Sequence, residues 1–433
     1  MSASSDPPTI LSFAEARHVV AEQAASVRAA GLKATTEFVS LLDALGRVLA
    51  EPVSADRDIP PFPRSTRDGY AVLSADLTIL PATLEVIGEI KAGAKLEEIP
   101  AQVGRGQAAS IMTGAPVPAG ADAVVMVEYA SAFGEEVRIT RGVTAGENIV
   151  PRGAEAQQGS LLLDCGQRLN HVAIALAASV GKSKLAVFKR PRVAVLTTGD
   201  EIVSIDDTPG PTQIRNSNTY SLAAQIQQAG GVPVLLPVAP DEAQGLRRLI
   251  EQGLQADLLL MTGGVSMGRY DLVERVLAEL HAEFFFTGAQ IQPGRPVVFG
   301  RCGAGALARE AAGEDSSVLS QGKYFFGLPG NPVSTMVTFE LFARPMIEAL
   351  TGQSPRRLMF LHVPLKTEIH VKLGLTRFLP ALLTGEFENS VVEPLKWQGS
   401  GDIAAIARAN CYIVIPPDKE KFAAGEFVPM MLR

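Results

Sequence analysis

Apolar and polar residues alternate in blocks along much of this chain, and the blocks predict its secondary structure. Between residues 190 and 350, short apolar runs such as RVAVLTT and DLLLMTGG alternate with stretches whose apolar residues recur at helical spacing. Continuous apolar strands separated by amphipathic helices are typical of a mostly parallel sheet covered by helices on both faces. We therefore predict a three-layer α/β domain over residues 190–350.

Other patterns flank this domain. Ser12 and Glu15 form a capping-box pattern before one helical run, a second run (EFVSLLDALGRVLA) reads as helical, and HVAIALAASVG reads as a helix that ends at Gly181. Short β-rich runs separated by turns follow Ala71 and again follow the segment TGQSPRR. The predicted domains are a discontinuous helical or mixed N-terminal domain (1–52 and 147–189), an inserted small β domain (53–146) and a C-terminal β-barrel-like domain (351–433).

Composition and charge narrow the class of protein. The chain has 433 residues, 47% of them hydrophobic, and a formal net charge of −7, which argues against general affinity for nucleic acid or an anionic membrane. Three dispersed cysteines and five histidines predict neither a disulfide framework nor a thiolate or imidazole metal site. With no signal-peptide pattern and no apolar stretch of membrane-spanning length, a cytoplasmic protein is expected.

Four glycine-containing turns lie at or near strand ends: VLTTGDE, MTGGVSMGRYD, IQPGRP and GLPGNPVS. Turns of this kind at the carboxyl ends of strands in an α/β sheet bind anions through backbone amides. Each turn alone is equally compatible with a packing role, and neither a P-loop nor a dinucleotide fingerprint is present. Together they favour an anionic ligand that is not held in a Walker-type or nicotinamide-binding site.

The acidic residues Asp200, Glu201 and Asp271 follow different predicted strands. A lone carboxylate there is usually a cap or a solvated turn residue, but three at neighbouring strand ends would repel one another without a cation. Because Mg²⁺ prefers carboxylates together with phosphate oxygens, they are candidate magnesium ligands and catalytic residues.

Other candidates follow from local chemistry. Gln292 and Arg295 flank a Pro-Gly turn and are candidate oxyanion ligands, while Asn331 and Pro332 suit the start of a helix. Asp68 lies in DIPPFPRSTRDGYAV, where the preceding prolines predict a rigid presenting loop. Taken singly, Asp68 is equally well a turn residue.

These motifs and their order resemble the molybdopterin molybdenumtransferase family of molybdenum-cofactor biosynthesis, which includes the E domain of gephyrin. The resemblance extends over nearly the whole chain and adds SLLDALGRVLAEPV, IMTGAPVPAGADAVVMVE, NIVPRGAEAQQG, SNTYSL and QGSGDI. It implies an elongated four-domain homodimer with active sites between subunits. The implied reaction inserts molybdate into adenylated molybdopterin, with Mg²⁺ and release of AMP. Molybdopterin adenylyltransferase and apo-molybdoenzymes are implied as protein partners.

The resemblance also implies roles for individual residues. Asp68 is the catalytic aspartate presented to the partner subunit, and Asp200, Glu201, Asp271 and Arg295 complete the catalytic set. The implied substrate- and oxyanion-binding residues are Thr113, Gly114, Asn218, Gly263, Gly264, Ser266, Gly268, Gln292, Gly294, Pro296, Pro329, Gly330, Asn331, Pro332, Ser334, Arg377 and Ser400.

The chain departs from the family pattern at several sites. Gln292 stands where the family commonly has lysine, which predicts weaker attraction of oxyanions, and Arg377 is displaced from the family's arginine positions. Val150 and Ala154 replace an arginine and an acidic residue. Two alternatives to the transferase remain: related nucleotide chemistry, either adenylylation of molybdopterin or pyrophosphate hydrolysis, and a gephyrin-like scaffold.

Overall fold

The structure is a computed structural model of the chain. The structure describes residues 9–31, 35–263, 272–303, 322–353 and 357–433. The described chain forms an N-terminal region, a small β domain inserted into it, an α/β domain and a C-terminal β domain. Among the described helices, none has the length and apolar character needed to cross a membrane.

The first helix, Phe13–Gly31, begins at the predicted capping box. The Ser12 amide donates to Glu15 Oε2 at 2.8 Å, and the Glu15 amide donates to Ser12 Oγ at 3.2 Å. The apolar face of this helix, including Val20, is buried in the core of the α/β domain. The helix therefore packs on the α/β domain. The domain boundaries given under Sequence analysis stay predictions.

The predicted second helix over EFVSLLDALGRVLA is wrong. The strand Thr36–Ser40 pairs antiparallel with the strand Lys184–Phe188, and turns follow it. The β-branched and aromatic pair Phe38 and Val39 suits a strand, and Gly46 has a φ of +73°, which a helix cannot accommodate. Tertiary pairing thus overrides the helical spacing of the apolar residues.

The rest of the N-terminal region forms a small core of its own. The strands Val53–Ser54 and Leu161–Leu163 pair antiparallel, and the helix His171–Ser179 packs beside them. The Asn170 side chain caps this predicted helix by accepting a hydrogen bond from the Ala173 amide at 2.9 Å.

The inserted β domain is a six-stranded sheet. In spatial order its strands are Ala123–Met126, Gly69–Val72, Gln107–Ile111, Ala82–Ile90, Glu136–Ile139 and Ala130–Phe133. Short 3₁₀ turns cover Ser74–Leu77, Leu96–Glu98 and Val127–Tyr129, and the two-residue strands Arg64–Ser65 and Ile149–Val150 pair outside the sheet. A Cβ at Gly69 would lie 1.8 Å from the carbonyl oxygen of Val125, so the backbones of neighbouring strands meet directly after Asp68.

The α/β domain is the three-layer structure predicted from the sequence. Its sheet has the order Val232–Leu235, Arg192–Thr197, Leu258–Thr262, Lys323–Leu328, Val298–Cys302 and Ala282–Phe286. The first four strands are parallel, and the strand Val298–Cys302 is antiparallel to both of its neighbours. Its helices include Asn218–Ala229, Ala243–Gly253 and Leu272–Glu279, and separate apolar cores lie on the two faces of the sheet.

The helical run predicted from Pro332 to Leu350 is interrupted. It consists of the helices Pro332–Thr338 and Arg344–Leu350, joined by a π-helical turn at Phe339–Ala343. Pro345 lies in the first turn of the second helix, where a missing amide hydrogen is tolerated. Most of the run is buried, no residue from Pro332 to Leu350 is exposed, and the GLPGNPVS turn lies at its start.

The C-terminal domain is a mixed β sheet that includes two residues of the α/β domain. The order is Ile291–Gln292, Thr376–Thr384, Cys411–Ile415, Phe427–Leu432 and Leu361–Pro364, with Val391–Pro394 paired to the second strand. A further pair joins Ile369–His370 to Lys421–Phe422, and one short helix covers Ile403–Arg408. The IQPGRP turn is therefore hydrogen-bonded into the C-terminal sheet, which fixes its position relative to both domains.

Candidate functional site

A cavity of about 390 Å³ opens at the carboxyl ends of the parallel strands of the α/β domain. This is the edge of an open α/β sheet at which ligands bind, and the volume suits a small organic ligand. The lining residues are Thr197, Thr198, Glu201, Ile202, Ile214, Arg215, Asn216, Ser217, Asn218, Thr262, Gly263, Pro296, Pro329, Gly330, Asn331 and Pro332. Segments far apart in the sequence therefore meet at one site.

The cavity brings together about a third of the residues predicted from the sequence. Those that line it are Glu201, Asn218, Gly263, Pro296, Pro329, Gly330, Asn331 and Pro332. The described candidates that do not line it are Asp68, Thr113, Gly114, Asp200, Gln292, Gly294, Arg295, Ser334, Arg377 and Ser400. Gly264, Ser266, Gly268 and Asp271 lie outside the described residues.

A hydrogen-bond network forms the floor of the cavity. Asn218 Nδ2 donates to Thr262 Oγ1 at 3.0 Å and to the carbonyl oxygen of Gly330 at 2.7 Å. Thr262 Oγ1 in turn donates to the carbonyl oxygen of Pro329 at 3.1 Å, and Thr335 Oγ1 donates to the same oxygen at 2.5 Å. The network ties the ends of two strands to the starts of two helices, so the floor is preorganised.

Two polar atoms of the floor are left without a partner. Thr198 Oγ1 and Asn218 Oδ1 are buried and accept or donate no hydrogen bond in the described structure. Thr198 is 3% exposed and Asn218 is 8% exposed, so bulk water does not satisfy them freely. Buried polar atoms of this kind usually have a partner, which makes the floor a candidate ligand site.

Three carboxylates, those of Asp200, Glu201 and Asp241, lie close together where Glu201 lines the cavity, and they are called the acidic rim below. The Asp241 amide donates to Asp200 Oδ1 at 3.2 Å, and partial burial, together with the nearby charges of Asp200 and Glu201, raises the pKa of the Asp241 carboxyl. Among the described residues, none of these three carboxylates pairs with a lysine or arginine. Nor does the described part of the chain hold a closed cluster of three metal-ligating side chains. These three carboxylates, of which Glu201 lines the cavity, therefore lie close together without an ion-pair partner among the described residues.

The QPGRP turn packs against the helix that starts at Pro332. Gly294 has a φ of +106°, and a Cβ placed there would lie 2.4 Å from Thr338 Cγ2. Gln292 is exposed and pairs in register with Arg377, whose guanidinium donates to the carbonyl oxygen of Lys372. Arg295 is exposed and makes no ion pair within the described ranges. The turn thus offers one free cation beside the cavity.

The start of the helix Pro332–Thr338 is closed by the C-terminal domain. Asn331 occupies the predicted N-cap position, but its side chain makes no capping bond and lies exposed on the cavity. The Val333 amide donates to the carbonyl oxygen of Ser400 at 2.9 Å, and Ser334 is buried. Ser400 therefore contacts the helix through its backbone.

Asp68 lies on the inserted β domain with the two other candidates of that domain. The Thr113 amide donates to Asp68 Oδ1 at 2.6 Å, and this hydrogen bond lowers the pKa of the Asp68 carboxyl. Gly114 has a φ of +81°, and its amide donates to the carbonyl oxygen of Ser65. Asp68 is exposed and ionised at neutral pH, on a loop held rigid from both sides.

Sequence reasoning missed the polar residues at the strand ends and one cation. Thr197, Thr198 and Thr262 end or follow strands, where threonine reads as an ordinary strand former. Arg215 is exposed and is the cationic residue among those that line the cavity; its Nε donates to the carbonyl oxygen of Asp207 at 3.1 Å. The sequence signal for Arg215 is its position three residues before Asn218, which is itself a predicted substrate-binding residue.

Comparison with known proteins places this architecture. The MoeA N-terminal region (domain I and II) matches residues 11–181, the probable molybdopterin binding domain matches 194–349, and the MoeA C-terminal region (domain IV) matches 362–432. A protein of Bacillus subtilis named molybdopterin molybdenumtransferase is 33% identical over 407 residues, which cover 92% of this chain and 90% of that protein. The chain belongs to the MoeA family.

Further MoeA-family proteins are similar over nearly the full length. A molybdopterin molybdenumtransferase of Nostoc is 33% identical over 91% of this chain and 88% of its own. Two crystal structures of molybdopterin biosynthesis MoeA protein from Pyrococcus horikoshii cover 98% of this chain and 99% or 100% of theirs. Their TM-scores are 0.68 and 0.75, with 31% and 26% sequence identity. The MoeA-type multidomain architecture predicted from the sequence is confirmed.

Proposed function

We propose that this MoeA-family protein is a molybdopterin molybdenumtransferase, which inserts molybdate into adenylated molybdopterin and releases AMP. The observation that carries the proposal is that residues of TTGDE, SNT and GLPGNP, together with Pro296 of QPGRP, line one cavity at the carboxyl ends of parallel strands. Family membership supplies the reaction class, since fold alone does not define function.

The chain's own groups suit an anionic, heterocyclic substrate. Gly330 and Gly263 bring backbone close to the cavity without a side chain, and Arg215 adds a positive charge at its edge. Arg295, next to the cavity-lining Pro296, is a second cation for an oxyanion. Phosphate and molybdate oxygens would therefore lie toward these two cations.

The acidic rim fits a divalent cation. Asp200 and Glu201 have no ion-pair partner within the described ranges. Partial burial and the nearby charges of Asp200 and Glu201 raise the pKa of Asp241, and a bound cation would relieve the repulsion between these charges. Asp200 and Glu201 would hold Mg²⁺ together with Asp271, which lies outside the described residues and stays a predicted ligand. When bound, Mg²⁺ would neutralise phosphate charge and orient the phosphoryl group.

Asp68 would act on a site completed by a second copy of the chain. It does not line the cavity of its own chain, yet its loop presents an ionised carboxylate with the Thr113 amide fixing its orientation. We propose a homodimer in which the β domain of one protomer carries Asp68 to the cavity of the other. Molybdopterin adenylyltransferase and apo-molybdoenzymes would be the proteins before and after this step.

The proposed function is tested by comparing two reactions that contain different substrates. The purified full-length protein is given adenylated molybdopterin with Mg²⁺ and molybdate in one reaction, and molybdopterin with ATP in another. The transferase produces AMP only in the first, and AMP accumulates with active cofactor. Pyrophosphate release from ATP in the second reaction would favour the adenylyltransferase alternative, and turnover in neither would favour the scaffold.

The shared site has a separate test by complementation between subunits. Asp68→Asn and Glu201→Gln are each expected to abolish AMP release without changing the elution volume in size-exclusion chromatography. Refolded or co-expressed mixtures contain mixed dimers in which one site carries both substitutions and the other carries none. Activity restored to a fraction of the wild-type value supports the shared site. Dimers that stay inactive in the mixture would place both residues in one site of one chain.

A further inference from the structure

The unpartnered atoms in the cavity floor define what that part of the cavity binds. Thr198 Oγ1 and Asn218 Oδ1 both belong to residues that line the cavity and are more than nine-tenths buried. Leaving a buried polar atom unsatisfied carries an energetic cost in a folded protein. A ligand group of complementary chemistry would remove that cost by forming hydrogen bonds with these atoms, so a ligand that carries such a group would bind more tightly.

The network fixes the orientation of the Asn218 amide. Nδ2 donates to the carbonyl oxygen of Gly330, a group that only accepts hydrogen bonds, and to Thr262 Oγ1, which is itself committed as a donor to Pro329. A flipped amide would place Oδ1 against the Gly330 oxygen, two acceptors face to face. Oδ1 is therefore the atom left over, and it requires a hydrogen-bond donor.

Close backbone packing holds Thr198 next to Gly263 and Thr262, and Thr262 is also the hydroxyl partner of Asn218. A Cβ at Gly263 would lie 2.3 Å from the carbonyl oxygen and 3.1 Å from Oγ1 of Thr198, so the glycine leaves just enough room for the threonine. The Thr198 amide donates to the carbonyl oxygen of Thr262 at 3.0 Å. The hydroxyl can accept or donate, so it complements a donor-bearing group next to the Asn218 oxygen.

We propose that Thr198 and Asn218 bind the exocyclic amino group of the substrate's heterocycle, and that the phosphates lie away from them. Phosphate oxygens are acceptors and would face the Asn218 acceptor unfavourably, whereas an amino group donates. The inference rests on the proposed function, because adenylated molybdopterin carries this chemistry twice, on the pterin and on the adenine. The floor thus discriminates an amino group from an oxo group at the same ring position.

The wild-type protein tests this without mutagenesis. Isothermal titration compares pterin (2-amino-4-oxopteridine) with lumazine, which has an oxo group in place of the amino group, and AMP with inosine monophosphate, which has the same exchange. We expect one amino compound to bind about 10- to 100-fold more tightly than its oxo counterpart, since an acceptor would oppose the Asn218 oxygen. A preference for pterin assigns the floor to the pterin, and a preference for AMP assigns it to the adenine.

Matched variants link the preference to the floor. Thr198→Val should weaken binding of the preferred amino compound about five- to tenfold and leave its oxo counterpart within about twofold, while Thr198→Ser should retain the discrimination. Thr287→Val is the control, because Thr287 Oγ1 is also buried without a partner but does not line the cavity. It should change neither affinity.

The inference is overturned if neither amino compound binds more tightly than its oxo counterpart to the wild-type protein, since ordered water would then satisfy the two atoms. It is equally overturned if Thr198→Val folds and keeps the full discrimination. An amino preference in a protein that releases no AMP would instead leave this inference standing and reject the proposed function. The two failures are therefore distinguishable.

Discussion

Substitution of Gly294 tests how the QPGRP turn packs against the helix Pro332–Thr338. In Gly294→Ala, the new methyl group would start 2.4 Å from Thr338 Cγ2 and 3.4 Å from Ile291 Cδ1. Thr338 cannot rotate away without cost, because its hydroxyl donates to the carbonyl oxygen of Ser334 at 2.8 Å within a buried helix. The turn must therefore move away from the helix.

The expected cost has two parts. A φ of +106° is unfavourable for alanine by about 1–2 kcal/mol, and overpacking of a close-packed interior costs about 1–3 kcal/mol more. The sum is about 2–5 kcal/mol. At about 2–4 °C per kcal/mol for a domain of this size, the melting temperature of the α/β domain falls by roughly 4–20 °C.

A matched glycine separates the two parts. Gly374 has a φ of +99°, and a Cβ there would meet nothing within 4 Å, so Gly374→Ala reports the backbone strain alone. Differential scanning calorimetry should show the larger loss for Gly294→Ala. Adding Thr338→Ser to Gly294→Ala removes the clashing methyl and keeps the hydroxyl, so it should recover part of the difference. Equal losses for the two alanine variants, or no recovery in the double variant, would refute the packing argument.

The remaining predictions concern charge and thiol chemistry. Gln292→Lys should lower the KM for molybdate by about two- to fivefold at low ionic strength and less at high salt, because an exposed charge contributes at most about 1 kcal/mol and is screened. Gln252→Lys, at an exposed site on the helix Ala243–Gly253, is the control. An equal effect of both substitutions would remove the local explanation. Burial raises the pKa of Cys302 to about 12 and that of Cys411 to about 11, so both thiols stay protonated as the pH rises toward 9 and become thiolates only near those values. Iodoacetamide at pH 8 should therefore label the half-buried Cys165 first in native protein, with the other two reacting after unfolding in guanidinium; mass spectrometry that finds Cys302 labelled in the native state would contradict this.

Periodicity predicted the α/β domain because its strands are buried on both faces. Runs such as Arg192–Thr197 and Leu258–Thr262 are apolar without alternation, and the helices between them carry one apolar stripe. Glycine positions were equally informative. Gly199 and Gly263 have φ values of +133° and +87°, so the turns at these strand ends need glycine for backbone reasons.

Features that depend on tertiary contacts were not predictable from local pattern. The segment that begins at Thr36 has helical spacing, but pairing with Lys184–Phe188 makes it a strand. No local signal shows that Ile291–Gln292 joins the C-terminal sheet, or that Thr198 lies beside Gly263. These contacts join residues distant in sequence, so only the folded chain reveals them.

The candidate site residues show the same difference between what local sequence pattern predicts and what tertiary contacts determine. Glu201, Asn218 and Gly330 were selected from turn chemistry or family resemblance, and they line the cavity. Arg215 is not predicted, because a single exposed arginine at the end of a two-residue strand carries no pattern. Asp68 and the cavity belong to different domains, and their proposed meeting requires a second copy of the chain.

The proposed transferase reaction is tested by the rate of AMP release from adenylated molybdopterin with and without molybdate. Purified full-length protein with Mg²⁺ is predicted to release AMP in proportion to the cofactor formed, with a rate that rises and saturates as molybdate is added. Asp68→Asn should reduce that rate to background while the protein remains folded and keeps its elution volume in size-exclusion chromatography. Release of AMP that is independent of molybdate, or an Asp68→Asn variant with near-normal turnover, would contradict the account.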